Sequence, residues 1–121
     1  MTNSGSLKRR DPVSITEWVS ALGEWAKSKG WGANKRSVLE RLALVHSEVS
    51  EIVLALRDDL PLREISVSST GTPTGVPIEI ADVVMRLLVL CAEENIDLER
   101  AMNMKLAYNR TRPTRHGRTT F

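Results

Sequence analysis

Four carboxylates mark the chemistry open to this chain. Glu48 and Glu51 stand three residues apart in Leu44-Val-His-Ser-Glu48-Val-Ser-Glu51-Ile52, and Glu79 and Asp82 repeat that spacing in Ile78-Glu79-Ile80-Ala81-Asp82. At about 100° per residue, a step of three keeps both members of a pair on one side of a helix. The four residues offer oxygen donors only. That donor set suits hard cations, Mg²⁺ first and Mn²⁺ as a substitute, so Glu48, Glu51, Glu79 and Asp82 form the expected metal set. A bundle di-iron site is disfavoured, because it takes a Glu-x-x-His pair from each of two helices and the sequence has no such pair. Mg²⁺ held by carboxylates keeps positions open for water and substrate phosphate. Lys105 and the arginines that close the chain would clamp such a phosphate.

The elements that must position these groups follow from periodicity. Residues 78–92 are apolar almost all the way round, interrupted only by Glu79, Asp82 and Arg86. Steps of three and four keep those three on one stripe of a helix expected over residues 77–95. A helix so apolar is a central, buried element. Its charges must face a partner, a metal or a cleft, because an unpaired buried charge is costly. The other pair lies on a helix expected over residues 35–58, where Val38, Leu42, Val45, Val49, Ile52 and Leu56 form a core-facing seam. Glu48 and Glu51 sit beside that seam with Leu44 and Ala55, on its inner shoulder. His46, near the seam, reads as a hydrogen-bonded core histidine.

Ser14-Ile-Thr-Glu17 reads as a capping box that opens a first helix, with Ile15, Trp18, Val19, Leu22, Trp25 and Ala26 on one stripe. Gly30 and Gly32 end it. Trp31 sits in that turn as a packing plug or a ligand contact. Residues 59–77 hold Pro61, Gly71, Pro73, Gly75 and Pro77 and form a long loop, with room for a short strand at Ile65 and Val67. Asp97 caps a fourth helix over residues 98–111, and Pro113 ends it. Ala101, Lys105, Tyr108, Asn109 and Arg112 share one side of it. The expected class is all-α, with four helices and a long loop between the second and third.

Composition narrows the options. A chain of 121 residues makes one domain, 1–121. It is 41% hydrophobic and 26% charged, ordinary for a soluble globular protein. Residues 1–11 read as disordered and contain no apolar signal region. No apolar run is long enough for a membrane span. The single Cys91 cannot form an internal disulfide and reads as a small buried hydrophobe, which suits a reducing cytoplasm. The net charge of +2 includes Arg110, Arg112, Arg115 and Arg118, and without those four the chain stands at −2. An acidic body thus carries a basic tail, residues 112–121, suited to phosphate.

Taken together, Glu48-x-x-Glu51, the loop, Glu79-Ile-Ala-Asp82 and then Lys105-x-x-x-Asn109 resemble the MazG-like, all-α nucleoside triphosphate pyrophosphohydrolases. Residues 76–84, Val-Pro-Ile-Glu-Ile-Ala-Asp-Val-Val, are especially similar to the third-helix segment of that family. The closing Arg112-Pro-x-Arg115-His116-Gly117 resembles the tail of its dCTP pyrophosphatase-like branch. The resemblance covers residues 34–117. It implies a four-helix MazG-like bundle that assembles as a dimer or tetramer. It implies Mg²⁺-dependent hydrolysis of a (deoxy)nucleoside triphosphate to the monophosphate and pyrophosphate, as housekeeping of the nucleotide pool. By the same resemblance, Glu48 or Glu51 orients the attacking water, and Lys105 and Asn109 contact phosphate and nucleoside. Tyr108, Arg112, Arg115, His116 and Trp31 complete the expected substrate contacts.

Two other classes are compatible with the pattern. A helical protein binding nucleic acid through its arginine tail would show steep salt dependence, but leaves the carboxylates of the central helix unexplained. A non-enzymatic helical interaction module would carry the acidic pairs as solvated faces and bind no metal.

Overall fold

The computed structural model describes residues 10–30 and 36–113. Trp31, Gly32, Arg115, His116 and Arg118 lie outside the described residues, as do the expected disorder over 1–9 and the end of the basic tail. Four helices carry the chain: α1 Ile15–Ser28, α2 Val38–Arg57, α3 Val76–Glu93 and α4 Leu98–Thr111. Between α2 and α3 lies a short antiparallel hairpin, β1 Ser66–Val67 with β2 Pro73–Thr74, in which Ser66 pairs with Thr74 and Val67 with Pro73. The all-α class holds, with this hairpin as its sole departure among the described residues.

Local chemistry sets the helix ends. At α1, Ser14 Oγ accepts from the Glu17 N–H at 3.1 Å. The reciprocal half of the expected box is missing. Glu17 instead accepts from the Val13 N–H at 3.2 Å and pairs with Arg10 at 2.9 Å. A complete box stands at α2, where Ser37 Oγ accepts from the Glu40 N–H and Glu40 accepts from the Ser37 N–H. These hydrogen bonds hold the Glu40 carboxyl below its ordinary pKa, and they start the helix at Val38 rather than near residue 35. Asp97 Oδ1 accepts from the Arg100 N–H at 3.1 Å and opens α4 where the sequence placed it. At α3 the cap is Gly75, with φ +125°, and a Cβ there would strike the Glu64 carbonyl oxygen. Only glycine fits, so the hairpin and the start of α3 are locked together.

Helix α3 packs on both α1 and α2, and α4 packs on α1. The buried cluster is small: Leu22 and Ala26 of α1 against Leu88 and Val89 of α3, bordered by Ile15, Val19, Met85 and Leu98. Cys91 is buried, as expected, and burial pushes its thiol pKa up. Helices α2 and α4 contain no buried residue. The buried cluster is thus confined to α1 and α3 among the described residues. The seam on α2 divides accordingly. Val45 and Ile52 are half-buried, while Leu42, Val49 and Leu56 face outward and the face turned toward α3 carries Arg41, Leu44, Glu48 and Ala55. His46 is exposed and is not a core histidine. Trp18 and Trp25, expected on the inner stripe of α1, stand at its edge, 39% and 42% exposed.

Helices α1 and α3 meet closely at Gly23, where an added Cβ would lie 2.8 Å from the Ala92 Cβ. A glycine inside a helix sacrifices about 1 kcal/mol relative to alanine, and the close approach accounts for its presence. Gly23→Val is expected to destabilise the protein by about 2 kcal/mol through overpacking. Thermal unfolding checks this; an unchanged Tm would show that the two helices do not depend on that approach.

Candidate metal centre

Helices α2 and α3 bring three of the four carboxylates to one place. Glu48, Glu51 and Glu79 each present an oxygen, and these oxygens all lie within 4.8 Å of one another. Glu48 sits on the face of α2 turned to α3, with its side chain 17% exposed, and Glu51 follows one turn later at the open edge. Glu79 stands in the first turn of α3, half-buried. Asp82, the fourth expected ligand, is exposed and outside the group of three, although its charge acts on Glu79.

The pKa of Glu79 is raised from its ordinary value. Burial is the largest cause, followed by repulsion from Asp82, Glu51 and Glu48. Like charges gathered in a partly dry place make the ionised form costly. A bound cation would relieve that repulsion. Two oxygens on opposite sides of Mg²⁺ lie about 4.2 Å apart, twice its bond length to oxygen, so small rotations would bring the three carboxylates onto one ion. Their number and chemistry fit Mg²⁺ or Mn²⁺ with coordination positions left for water and phosphate.

Sequence reasoning noted Arg86 only as an interruption of an apolar helix. In the structure its Nη2 lies 2.9 Å from Glu48 Oε1. The signal was available, since Arg86 falls seven residues after Glu79 and four after Asp82 on the same stripe. Arg41 was missed for a different reason. It binds Glu93 and Glu94 at the C-terminal end of α3, the latter at 2.6 Å, and no local spacing joins residues so far apart in sequence. Arg41 and Arg86 both line a groove of about 1190 Å³ between α1, the start of α2 and the end of α3; Lys27 and Arg36 line it as well, and so do Glu24 and the two partners of Arg41, Glu93 and Glu94.

The expected substrate contacts of α4 lie elsewhere. Lys105 and Arg112 stack over the Tyr108 ring, 5.3 and 5.6 Å from its centroid. Both side-chain amide atoms of Asn109 are shielded from solvent with no hydrogen-bond partner. Helix α4 packs on α1. The chain thus gathers Glu48, Glu51 and Glu79 from α2 and α3, while Lys105, Tyr108, Asn109 and Arg112 stand on a helix that packs on α1. Trp31, Arg115 and His116 lie outside the described residues.

No protein-family model, no characterised protein and no solved structure matches this chain.

The charge cluster has a consequence for stability. With its pKa raised, Glu79 binds a proton more tightly in the native state than in the unfolded one. Its stabilising contribution is complete below the unfolded value near 4.5 and is lost as pH rises through the native value. Metal-free Glu79→Gln should therefore melt above wild type at pH 7, with a gap that closes as the pH falls into the carboxylate range. Mg²⁺ or Mn²⁺ should raise the wild-type Tm, and Glu79→Gln should abolish most of that shift. Equal stabilisation of both proteins by the cation would refute the site.

Proposed function

We propose that the protein is a Mg²⁺-dependent nucleoside triphosphate pyrophosphohydrolase, releasing a monophosphate and pyrophosphate from a (deoxy)nucleoside triphosphate. The observation that carries this reading is the convergence of Glu48, Glu51 and Glu79 from two helices, in the order and spacing that resemble the MazG-like family. Glu48, Glu51 and Glu79 would hold the ion, with Asp82 at the margin. When bound, it would polarise the phosphates and offset charge on the bridging oxygen. Among the described residues, Glu51 makes no ion pair whereas Glu48 is engaged by Arg86, so Glu51 is the better placed to orient the attacking water. Lys105 and Arg112, with the arginines that follow, would bind the leaving pyrophosphate. Asn109 has a donor and an acceptor to spend on the nucleoside, beside the ring of Tyr108.

The reading includes assembly. A homo-oligomer, dimer or tetramer, would bring α4 of one copy to the carboxylates of another and cover the outward apolar face of α2, where Val53 and Leu54 are 50% and 53% exposed. That same face favours the one alternative retained here, a non-enzymatic interaction module in which the outward face of α2 binds another protein.

Incubation with each (d)NTP and Mg²⁺, followed by separation of products, tests the reading. Monophosphate plus pyrophosphate is the expected outcome, and diphosphate plus phosphate would point to another phosphohydrolase. Glu51→Gln should lower kcat by about 100-fold, the scale of a lost general base. No turnover of any triphosphate and no response to divalent cations would leave the interaction module standing. Light scattering should give a mass at least twice 13.5 kDa; a monomer at micromolar concentrations would remove the role assigned to α4.

A further inference from the structure

Arg86 belongs to two places at once. Its guanidinium is ion-paired to Glu48 at the carboxylate cluster, and its side chain also lines the groove between α1, α2 and α3. Glu48 is the least solvated partner of that pair, 17% exposed against 45% for Arg86. A carboxylate so placed requires a positive neighbour. Arg86 supplies one, so part of the charge that the metal reading assigns to a divalent ion is already present as a guanidinium. The two cations compete for the same carboxylate, and a divalent ion bound there repels the guanidinium.

We propose that Arg86 is a tethered counter-ion of this site. It holds Glu48 in the absence of metal, yields it when a divalent cation arrives, and turns its fork of donors to a phosphate lying in the groove. This inference rests on the metal-dependent reading above. Its consequence is coupling. The metal frees Arg86 for the phosphate, the phosphate keeps Arg86 away from the metal's ligand, and by linkage each ligand tightens the other.

Calorimetric titration tests it without turnover. Mn²⁺ alone, and then a non-hydrolysable triphosphate analogue with an imido group between the α and β phosphorus atoms, are titrated into wild type and Arg86→Gln. With its competitor removed, Arg86→Gln should bind Mn²⁺ alone at least fivefold tighter than wild type. In the presence of Mn²⁺ it should bind the analogue at least tenfold more weakly. A bridge that merely holds α2 to α3 predicts the opposite for the metal, because loosening the helices would weaken Mn²⁺ binding. Binding by wild type with no tightening in Arg86→Gln overturns this inference alone. Silence of both proteins toward Mn²⁺ overturns the metal reading and this inference together. Should Arg86→Gln fail to fold, the wild type decides the matter. The ¹⁵N resonance of its Arg86 Nε, assigned by its loss in Arg86→Lys, must shift when Mg²⁺ is added, and a resonance indifferent to saturating Mg²⁺ overturns the inference.

Discussion

Helix α2 is seated on α3 by charge together with apolar side chains that are no more than half-buried. Arg41 reaches Glu93 and Glu94 at one end of the contact, and Arg86 reaches Glu48 near its middle. No residue of α2 is buried. With side chains 17–45% exposed, pairs of this kind contribute about 0.2–1 kcal/mol each. They also fix direction, because a guanidinium fork accepts a carboxylate from few angles. The placement of Glu48 and Glu51 against Glu79 depends on this seating, which the half-buried Leu44, Val45, Ile52 and Ala55 share with the ion pairs.

The other half of the cluster is placed from the opposite direction. The hairpin between β1 and β2 runs into Gly75, whose backbone conformation and contact with Glu64 set where α3 begins. Glu79 then falls in the first turn, where the unsatisfied N–H groups of the helix favour a negative charge. That interaction opposes the burial and repulsion that raise its pKa. A carboxylate whose ionised form is made costly in this way gains from a nearby cation, which is the electrostatic condition for attracting one.

Much of this arrangement is legible in the sequence where the determinant is local. Asp97 and Pro113 delimit α4 because a cap and a helix breaker act within one turn. The carboxylate pairs could be placed on facing helices because spacing maps directly onto a helix surface. The apolar row on α2 was harder to interpret. Val38, Leu42, Val49 and Leu56 obey the periodicity of a core face, but periodicity does not say whether the covering surface belongs to the same chain. The turned face instead carries Arg41 and Glu48, whose partners on α3 lie too far along the chain for any spacing rule. Which helices supply the buried cluster escaped the sequence for the same reason, since every helix carries an apolar stripe whether or not it is covered.

The confinement of the buried cluster to two helices also distributes stability unevenly. Helix α1 and the C-terminal half of α3 enclose the only cluster of fully buried side chains described, and α2 and α4 lie outside it. Local opening is cheapest where little buried apolar surface is lost, so α2, which has no buried residue, is expected to open ahead of the α1–α3 pair. Amide protons of α2 would then exchange with solvent ahead of those around Leu88 and Val89. Any ligand that spans Glu48 and Glu79 must suppress that opening, so exchange slowing along α2 reports occupancy of the cluster even where no reaction is being followed.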